Sequence, residues 1–76
     1  MNFPPSKHEV KKVRDAYPIG TRIKLIEMVD NTHPVEPGTT GTVDYIDAAG
    51  HLHMSWDNGR TLALIPDVDR FEAISN

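Results

Sequence analysis

The run Trp-Asp-Asn-Gly at residues 56–59 constrains the fold more than any other part of the sequence. Asn-Gly between two segments of alternating apolar residues is the strongest short-range signal for a β-hairpin, because both central residues of a type I′ turn need positive φ. Before it, Leu52, Met54 and Trp56 alternate with polar residues, and residues 61–65 alternate after it. The sequence therefore predicts two antiparallel strands that place one face in the core.

The N-terminal segment carries the signals of a short helix. Ser6 and Glu9 have the spacing of a capping box, in which each side chain bonds to the backbone of the other residue. They predict a helix over residues 7–15 that Pro18 ends. Its apolar stripe is narrow, so the helix must pack on the rest of the protein to persist. The stripe consists of Val10, Val13 and Tyr17, and Phe3 is a candidate to join it.

Three more strands are predicted, over residues 19–26, 39–46 and 71–74. In the first, Ile23 and Leu25 point inward. In the second, Val43 and Tyr45 share a face opposite Thr42, Asp44 and Ile46, while Gly41 marks either a β-bulge or a close approach of another backbone. Between these two strands lies a loop over residues 29–38, and the Pro-Gly pair at residues 37–38 predicts a type II turn within it. Residues 66–69 predict a single helical or 3₁₀ turn before the last strand.

These elements predict a mainly β fold: a small five-stranded SH3-like barrel preceded by a short N-terminal α-helix. Residues 1–16 form the N-terminal arm with its helix, and residues 17–76 form the barrel domain. An oligonucleotide-binding fold is the less favoured alternative at a length of 76 residues.

Composition narrows the class of protein. The sequence has no cysteine, which excludes disulfides, thiolate nucleophiles and sulfur-ligated zinc, and favours a reducing compartment. It shows neither the pattern of a signal peptide nor an apolar run near the ~20 residues that span a bilayer. We therefore expect a soluble cytoplasmic protein that does not bind membranes.

Charge divides along the chain. Residues 1–26 hold six Lys/Arg and two Asp/Glu, a net charge of +4, whereas residues 27–76 hold two Arg and nine Asp/Glu, a net charge of −7. A basic arm of this kind serves nucleic-acid binding, or it neutralises its own domain or a second copy. The simplest interpretation, which we favour from the sequence, is a solvated helix face. We expect a monomer or a weak homodimer.

Four short motifs resemble a small bacterial and phage family that is known only as a domain of unknown function. They are Tyr-Pro-x-Gly-Thr-Arg at residues 17–22, Pro-Gly-Thr-x-Gly-Thr-Val at 37–43, Trp-Asp-Asn-Gly at 56–59, and Leu-Ile-Pro at 64–66 followed by Asp69 and Phe71. The two central motifs also resemble the SH3-like repeats of Mind-bomb and HERC-type ubiquitin ligases, and more distantly the KOW and Tudor barrels. The resemblance implies an accessory protein of a phage or mobile element, and it implies no activity.

The strongest metal-like pattern is His51-x-His53, because residues two apart on a strand point the same way and two imidazoles can hold one zinc ion. A third ligand would have to come from His33 or from an acid such as Asp44. An exposed polar strand face is the simpler interpretation, so we predict no metal and no cofactor.

No pattern of catalytic residues stands out. The serines lack a surrounding motif, and acids in turns such as Asp57, Asp67 and Asp69 usually accept hydrogen bonds from nearby backbone amides. A methyl-lysine cage needs several exposed aromatics, whereas alternation assigns most aromatics of this chain to the core. We therefore predict that the protein is not an enzyme.

Two functions remain. The leading hypothesis is a non-catalytic module that binds an unidentified protein through the loop at 29–38 and the hairpin rim. The candidate residues are Asn31, His33, Trp56, Asp57, Asn58 and Pro66. The alternative is a small nucleic-acid-binding barrel that uses the basic N-terminal segment, with candidate residues Lys7, Lys11, Lys12, Arg14, Arg22 and Lys24.

Overall fold

The computed structural model describes residues 6–29 and 32–74, which form one α-helix and four β-strands. The four strands form one antiparallel sheet in the order β3-β2-β1-β4. The prediction of a mainly β fold after a short N-terminal helix is confirmed for these residues. The elements are α1 Lys7–Ala16, β1 Arg22–Glu27, β2 Thr40–Ile46, β3 Leu52–Trp56 and β4 Arg70–Ile74.

The segment at residues 61–65, predicted as a further strand, forms only one bridge. Leu52 and Leu64 exchange two backbone hydrogen bonds, of 2.9 and 2.8 Å. Between this bridge and the hairpin loop, the carbonyl of Leu62 accepts the indole N–H of Trp56 at 2.9 Å. In a continuous strand paired with β3, the Leu62 carbonyl would instead accept a backbone N–H of β3. The sheet of the described residues is therefore open and four-stranded, where five strands were expected.

The hairpin turns at the predicted place, but its loop differs from the prediction. Trp56 N–H donates to the carbonyl of Arg60, and Gly59 N–H donates to the carbonyl of Trp56, both at 2.9 Å. These bonds leave three residues in the loop, 57–59, with Gly59 at φ +89°. A type I′ hairpin has two loop residues, so that prediction is wrong; the bonds fit a three-residue loop with glycine in the left-handed region.

Strand β2 changes face in its middle. Its pairing with β3 shifts by one residue between Val43 and Tyr45, which leaves Asp44 as the extra residue of a bulge. Val43 and Ile46 are consequently buried, whereas 51% of Tyr45 is exposed. The prediction that Val43 and Tyr45 share a face is wrong, because strict alternation does not count an inserted residue.

Gly41 lies where another backbone comes close, as the second of its two interpretations predicted. It pairs with Trp56, and a Cβ built on Gly41 would lie 2.7 Å from Cε3 of that indole. The bulge of β2 lies instead at Asp44. Glycine is required at position 41 for space.

The core lies between the inner face of the sheet and the segments that close over it. Ile23 and Leu25 of β1 are fully buried, as predicted, and so is Val35 of the long loop. The inward residues of β3 are buried as well, which confirms the face assigned to that strand. They are Leu52, Met54 and Trp56.

Helix α1 packs on this core. Val10 is buried, while Val13 and Tyr17 are half-buried against the core, and the ring of Tyr17 lies 5.3 Å from that of Phe71. The hydroxyl of Ser6 accepts the N–H of Glu9 at 3.1 Å, which is one of the two bonds of the predicted capping box. Phe3 lies outside the described residues.

The predicted type II turn is present before β2. Thr39 N–H donates to the carbonyl of Glu36 at 3.1 Å, and Gly38 has φ +88°, as the third position of this turn requires. Gly38 N–H then donates to the carbonyl of Leu25 at 2.7 Å. The turn therefore fixes the end of the long loop against β1.

Candidate binding surface

Arg60 joins the long loop to the hairpin. Its guanidinium donates to the backbone carbonyls of His33 and Pro34, the latter at 3.4 Å. Its backbone N–H donates to the side-chain oxygen of Asn58 at 3.0 Å. One residue thus brings together two segments that are more than 20 positions apart in the sequence. We call the surface formed by His33, Pro34, Asp57, Asn58 and Arg60 the loop–hairpin surface.

Asp57 forms the other anchor of the hairpin. Its carboxylate accepts two hydrogen bonds from the Arg22 guanidinium, at 2.9 and 2.6 Å, and one from the Thr40 hydroxyl at 2.6 Å. Arg22 also donates to the hydroxyls of Thr40 and Thr42. This two-pronged geometry is the strong form of an Arg–carboxylate pair. It ties the hairpin loop to the solvent-facing side of β1 and β2.

The pair at Arg22 and Asp57 affects how both groups titrate. Hydrogen bonds from Arg22 and then from Thr40 hold the pKa of Asp57 well below its usual range, and the bond to Asp57 raises the pKa of Arg22. Both side chains therefore stay charged across ordinary pH, and the pair is half-exposed to solvent. Asp57 is engaged with a side chain 35 residues away, whereas the sequence predicted bonds to nearby backbone amides.

The partner-binding residues predicted from the sequence divide into four groups, the last of which is the buried Trp56. His33, Asp57 and Asn58 are exposed and belong to the loop–hairpin surface. Pro66 lies elsewhere, in a groove that α1 lines together with the turns after β2 and before β4. Asn31 lies outside the described residues.

Trp56 is a core residue, and its assignment to a partner surface is wrong. Only 3% of it is exposed, and its one polar atom already donates to the carbonyl of Leu62. The side chain therefore has neither the area nor a donor to offer a ligand. Its position at the hairpin follows from the alternation of β3, which the sequence had also indicated.

Asp69 is the buried acid among the described residues, and it holds a different pair of segments. Its carboxylate accepts the backbone N–H groups of Val29 and Ile65, each at 2.9 Å, and 6% of the residue is exposed. This is the backbone-bonding role predicted for acids in turns, although the bond to Val29 spans 40 positions. Asp69 thus fixes the start of the long loop.

Sequence reasoning missed Arg60 as a member of the surface. One signal was available: Arg60 and Arg70 are the two basic residues among positions 27–76, where nine acids occur. A lone cation behind an Asn-Gly turn suggests a specific partner. The sequence could not show which groups Arg60 binds, because its acceptors are backbone carbonyls, which every residue has.

One member of the candidate metal pair, His53, is engaged in other side-chain contacts. His53 Nε2 lies 2.8 Å from the Asp47 carboxylate, and its ring stacks on Tyr45 with centroids 4.3 Å apart. The bond with His53, aided by backbone N–H groups of His51 and Ala49, lowers the pKa of Asp47 from 3.8 to about 2. Within residues 6–29 and 32–74, no three metal-ligating side chains come together.

The six basic candidates for nucleic-acid binding occupy two elements. Arg22 and Lys24 lie on β1, and Arg22 is committed to Asp57. The other four lie on α1, where Lys11 forms an exposed ion pair with Asp15 at 2.6 Å. Those four are Lys7, Lys11, Lys12 and Arg14.

No helix in the described part of the chain is long and apolar enough to cross a membrane. No curated protein and no solved structure matches the chain. A family model does match: it covers residues 6–74, which includes every element described above, and carries the description "Domain of unknown function". The chain therefore belongs to the family of domain of unknown function DUF4314.

Proposed function

We propose that this protein is a non-catalytic module that binds another protein through the loop–hairpin surface. The observation that carries the proposal is the bonding of Arg60 to the carbonyls of His33 and Pro34. A long loop held against a rigid hairpin presents exposed groups in fixed positions, which lowers the entropic cost of binding. The exposed groups are those of His33, Asp57 and Asn58.

For the fold, we propose an SH3-like barrel in which residues 60–64 act as the strand between β3 and β4. Two features support this topology. The bonds of Trp56 with Arg60 and of Leu52 with Leu64 keep one antiparallel register along β3. The last strand, β4, returns to pair with β1 after a hydrogen-bonded turn at residues 65–69.

A non-catalytic role is supported by the hydrogen bonding of three of the carboxylates. Asp47, Asp57 and Asp69 each accept two or more hydrogen bonds from groups that hold the fold together. A general base needs a carboxylate that is available to a substrate proton. We place the protein in the cytoplasm as an accessory factor of a phage or mobile element, acting as a monomer or weak homodimer.

The decisive experiment compares two arginine variants of the full chain. Arg60→Ala removes the bonds to the loop, whereas Arg70→Ala removes an exposed arginine from β4 and serves as the matched control. We expect a bacterial host protein captured by wild type and by Arg70→Ala to be lost with Arg60→Ala. Equal capture by all three chains would refute the loop–hairpin surface.

A photo-crosslinking residue locates the contact directly. Placed at His33, it should form a covalent adduct with the captured protein, while the same residue at the exposed Glu72 of β4 should not. An adduct from position 72 alone would assign the interaction to another face.

The second candidate function is nucleic-acid binding. It is favoured by Tyr45, which is half-exposed and lies near the basic helix. The sequence analysis had instead assigned most aromatic side chains to the core. Exposed aromatics stack on bases and basic groups contact phosphates. If this function is correct, binding should weaken steeply with salt, and Lys11→Glu with Lys12→Glu should abolish it without unfolding the protein. Gel shifts at two salt concentrations test this, and unchanged binding by the double variant would exclude it.

A further inference from the structure

The bulge in β2 places an aromatic side chain on the surface and fixes its orientation. Because Asp44 is the extra residue, Tyr45 points outward, and its ring stacks on His53 with an interplanar angle of 6°. His53 is itself held by the Asp47 carboxylate at 2.8 Å. An exposed ring with so little freedom loses little entropy when a ligand covers it. Bulges that re-aim a side chain occur near functional sites more often than elsewhere in sheets.

Tyr45 lines an apolar groove of about 280 Å³. The turn after α1 lines the same groove, and its Ile19 is 76% exposed, the most exposed of the large apolar side chains described. Pro18 and Ile46 line it as well. Exposed apolar side chains that share one groove form a contiguous patch, which is typical of a contact surface.

The groove has a basic end. Arg14 lines it and also lines a neighbouring hollow of about 310 Å³, which Lys7 and Ala48 share. The guanidinium of Arg14 donates to the carbonyl of Ile46 at 3.3 Å, which holds it at the junction of the two hollows. In the described part of the chain, neither Lys7 nor Arg14 forms an ion pair.

Two acids on the adjacent elements are engaged with other side chains. Asp15 is paired with Lys11 at 2.6 Å, and the Asp47 carboxylate lies 2.8 Å from His53 Nε2. The positive charges of Arg14 and Lys7 are not paired with any acid among the described residues, so the groove favours an anionic group beside an apolar one. Charge complementarity of this kind sets both the specificity and the orientation of a ligand.

We propose that this groove binds an extended peptide segment of a partner protein, with an acidic residue at Arg14 and an aromatic or branched apolar side chain between Ile19 and Tyr45. The carboxylate accepts hydrogen bonds from the guanidinium, and the apolar side chain covers the exposed isoleucine and tyrosine. The groove and the loop–hairpin surface have no residue in common. The protein thus has two binding surfaces, and an experiment can refute one of the two proposals without affecting the other.

Selection from short random peptides displayed on phage, with the immobilised full chain as bait, tests the proposal. Enriched sequences should carry Asp or Glu next to an aromatic or branched apolar residue. A synthetic copy of an enriched peptide is then titrated by fluorescence anisotropy. Arg14→Gln and Ile19→Asn should each weaken its binding by about tenfold or more. Arg14→Gln removes a charged hydrogen bond, and Ile19→Asn removes an apolar contact.

The matched controls are Lys24→Gln, a basic residue on β1, and Val68→Asn, an exposed apolar residue in the turn before β4. Both should leave the peptide affinity within about twofold of wild type, which lies inside the usual effect of a surface change away from the contact. Thermal melts of all four variants separate loss of binding from loss of folding.

Several outcomes would overturn the proposal. One is enrichment of peptides without acids, and another is binding that Arg14→Gln and Ile19→Asn do not weaken. Self-association of the wild type in sedimentation experiments, abolished by Ile19→Asn, would show that a second copy occupies the groove. Salt-sensitive binding of single-stranded DNA that Arg14→Gln abolishes would assign the groove to nucleic acid.

Discussion

Replacing Gly41 with alanine tests the lack of space between β2 and β3 at this position. The added Cβ would lie 2.7 Å from Cε3 of Trp56 and 2.9 Å from the backbone oxygen of Ser55. Ordinary contacts between carbon atoms lie near 3.5–4.0 Å. The indole is buried in the core and the oxygen belongs to β3, so neither can move without shifting the strand.

The expected loss follows from two opposing effects. Alanine in a strand stabilises the folded state by about 0.5–1 kcal/mol relative to glycine, because the unfolded chain has less conformational freedom to lose. Gly41 does not have a positive φ, so backbone strain does not offset this gain. Overpacking costs about 1–3 kcal/mol, and the rigid backbone neighbour favours the upper end. We expect Gly41→Ala to lower the free energy of unfolding by about 2 kcal/mol, equivalent to a fall in Tm of about 8–16 °C.

Urea denaturation followed by circular dichroism measures this loss. Gly38→Ala is the matched control, because its Cβ meets nothing within 4 Å and the cost there comes from φ +88° alone. In a Trp56→Leu background, the Gly41→Ala substitution should cost less, since the Cε3 contact is gone while the Ser55 oxygen remains. A Gly41→Ala protein as stable as wild type, or a cost that the Trp56→Leu background leaves unchanged, would refute the reasoning.

Three other substitutions test single contacts. Trp56→Ala should cost about 3–5 kcal/mol in urea denaturation, because the buried indole fills the core beneath the hairpin; a red-shifted wild-type fluorescence maximum would contradict that burial. Asp69→Ala should lower the free energy of unfolding by about 1–3 kcal/mol for each backbone N–H left without its acceptor. Asp67→Ala, at an exposed position, should leave stability unchanged. Equal melting temperatures for the two variants would disprove the structural role of Asp69. Because the pKa of Asp47 is lowered to about 2, its contribution to stability is present above pH 3.8 and is lost as the pH falls towards 2. Acid titration of stability should therefore be flatter between these values for Asp47→Asn, and a superimposable pH profile would contradict the shift.

Local signals in the sequence predicted most of the local structure. The capping residue Ser6, the Pro-Gly pair of the type II turn, and the alternating apolar residues of β3 each act over a few positions, where geometry depends on neighbouring residues. The helix, the position of the hairpin and the buried face of β3 were accordingly predicted correctly.

The errors share a different cause. Tyr45 was assigned to the wrong face because Asp44 is the extra residue of a bulge that forms when β2 pairs with β3. The predicted fifth strand forms only one bridge because the Leu62 carbonyl accepts the indole N–H of Trp56 and not a backbone N–H of β3. Arg60 and Asp69 bond to backbone groups 26 to 40 positions away. Contacts of this range depend on the assembled fold, so a single sequence does not reveal them.

The Arg60 bonds affect how the loop–hairpin surface can change by mutation. Its guanidinium grips main-chain oxygens of the loop, and a carbonyl is the same group whichever amino acid supplies it. The bond at position 33 therefore does not depend on histidine. Replacing that side chain changes the exposed group at this position while this anchor of the loop stays in place, so the loop–hairpin surface can vary by point mutation without a change in its scaffold.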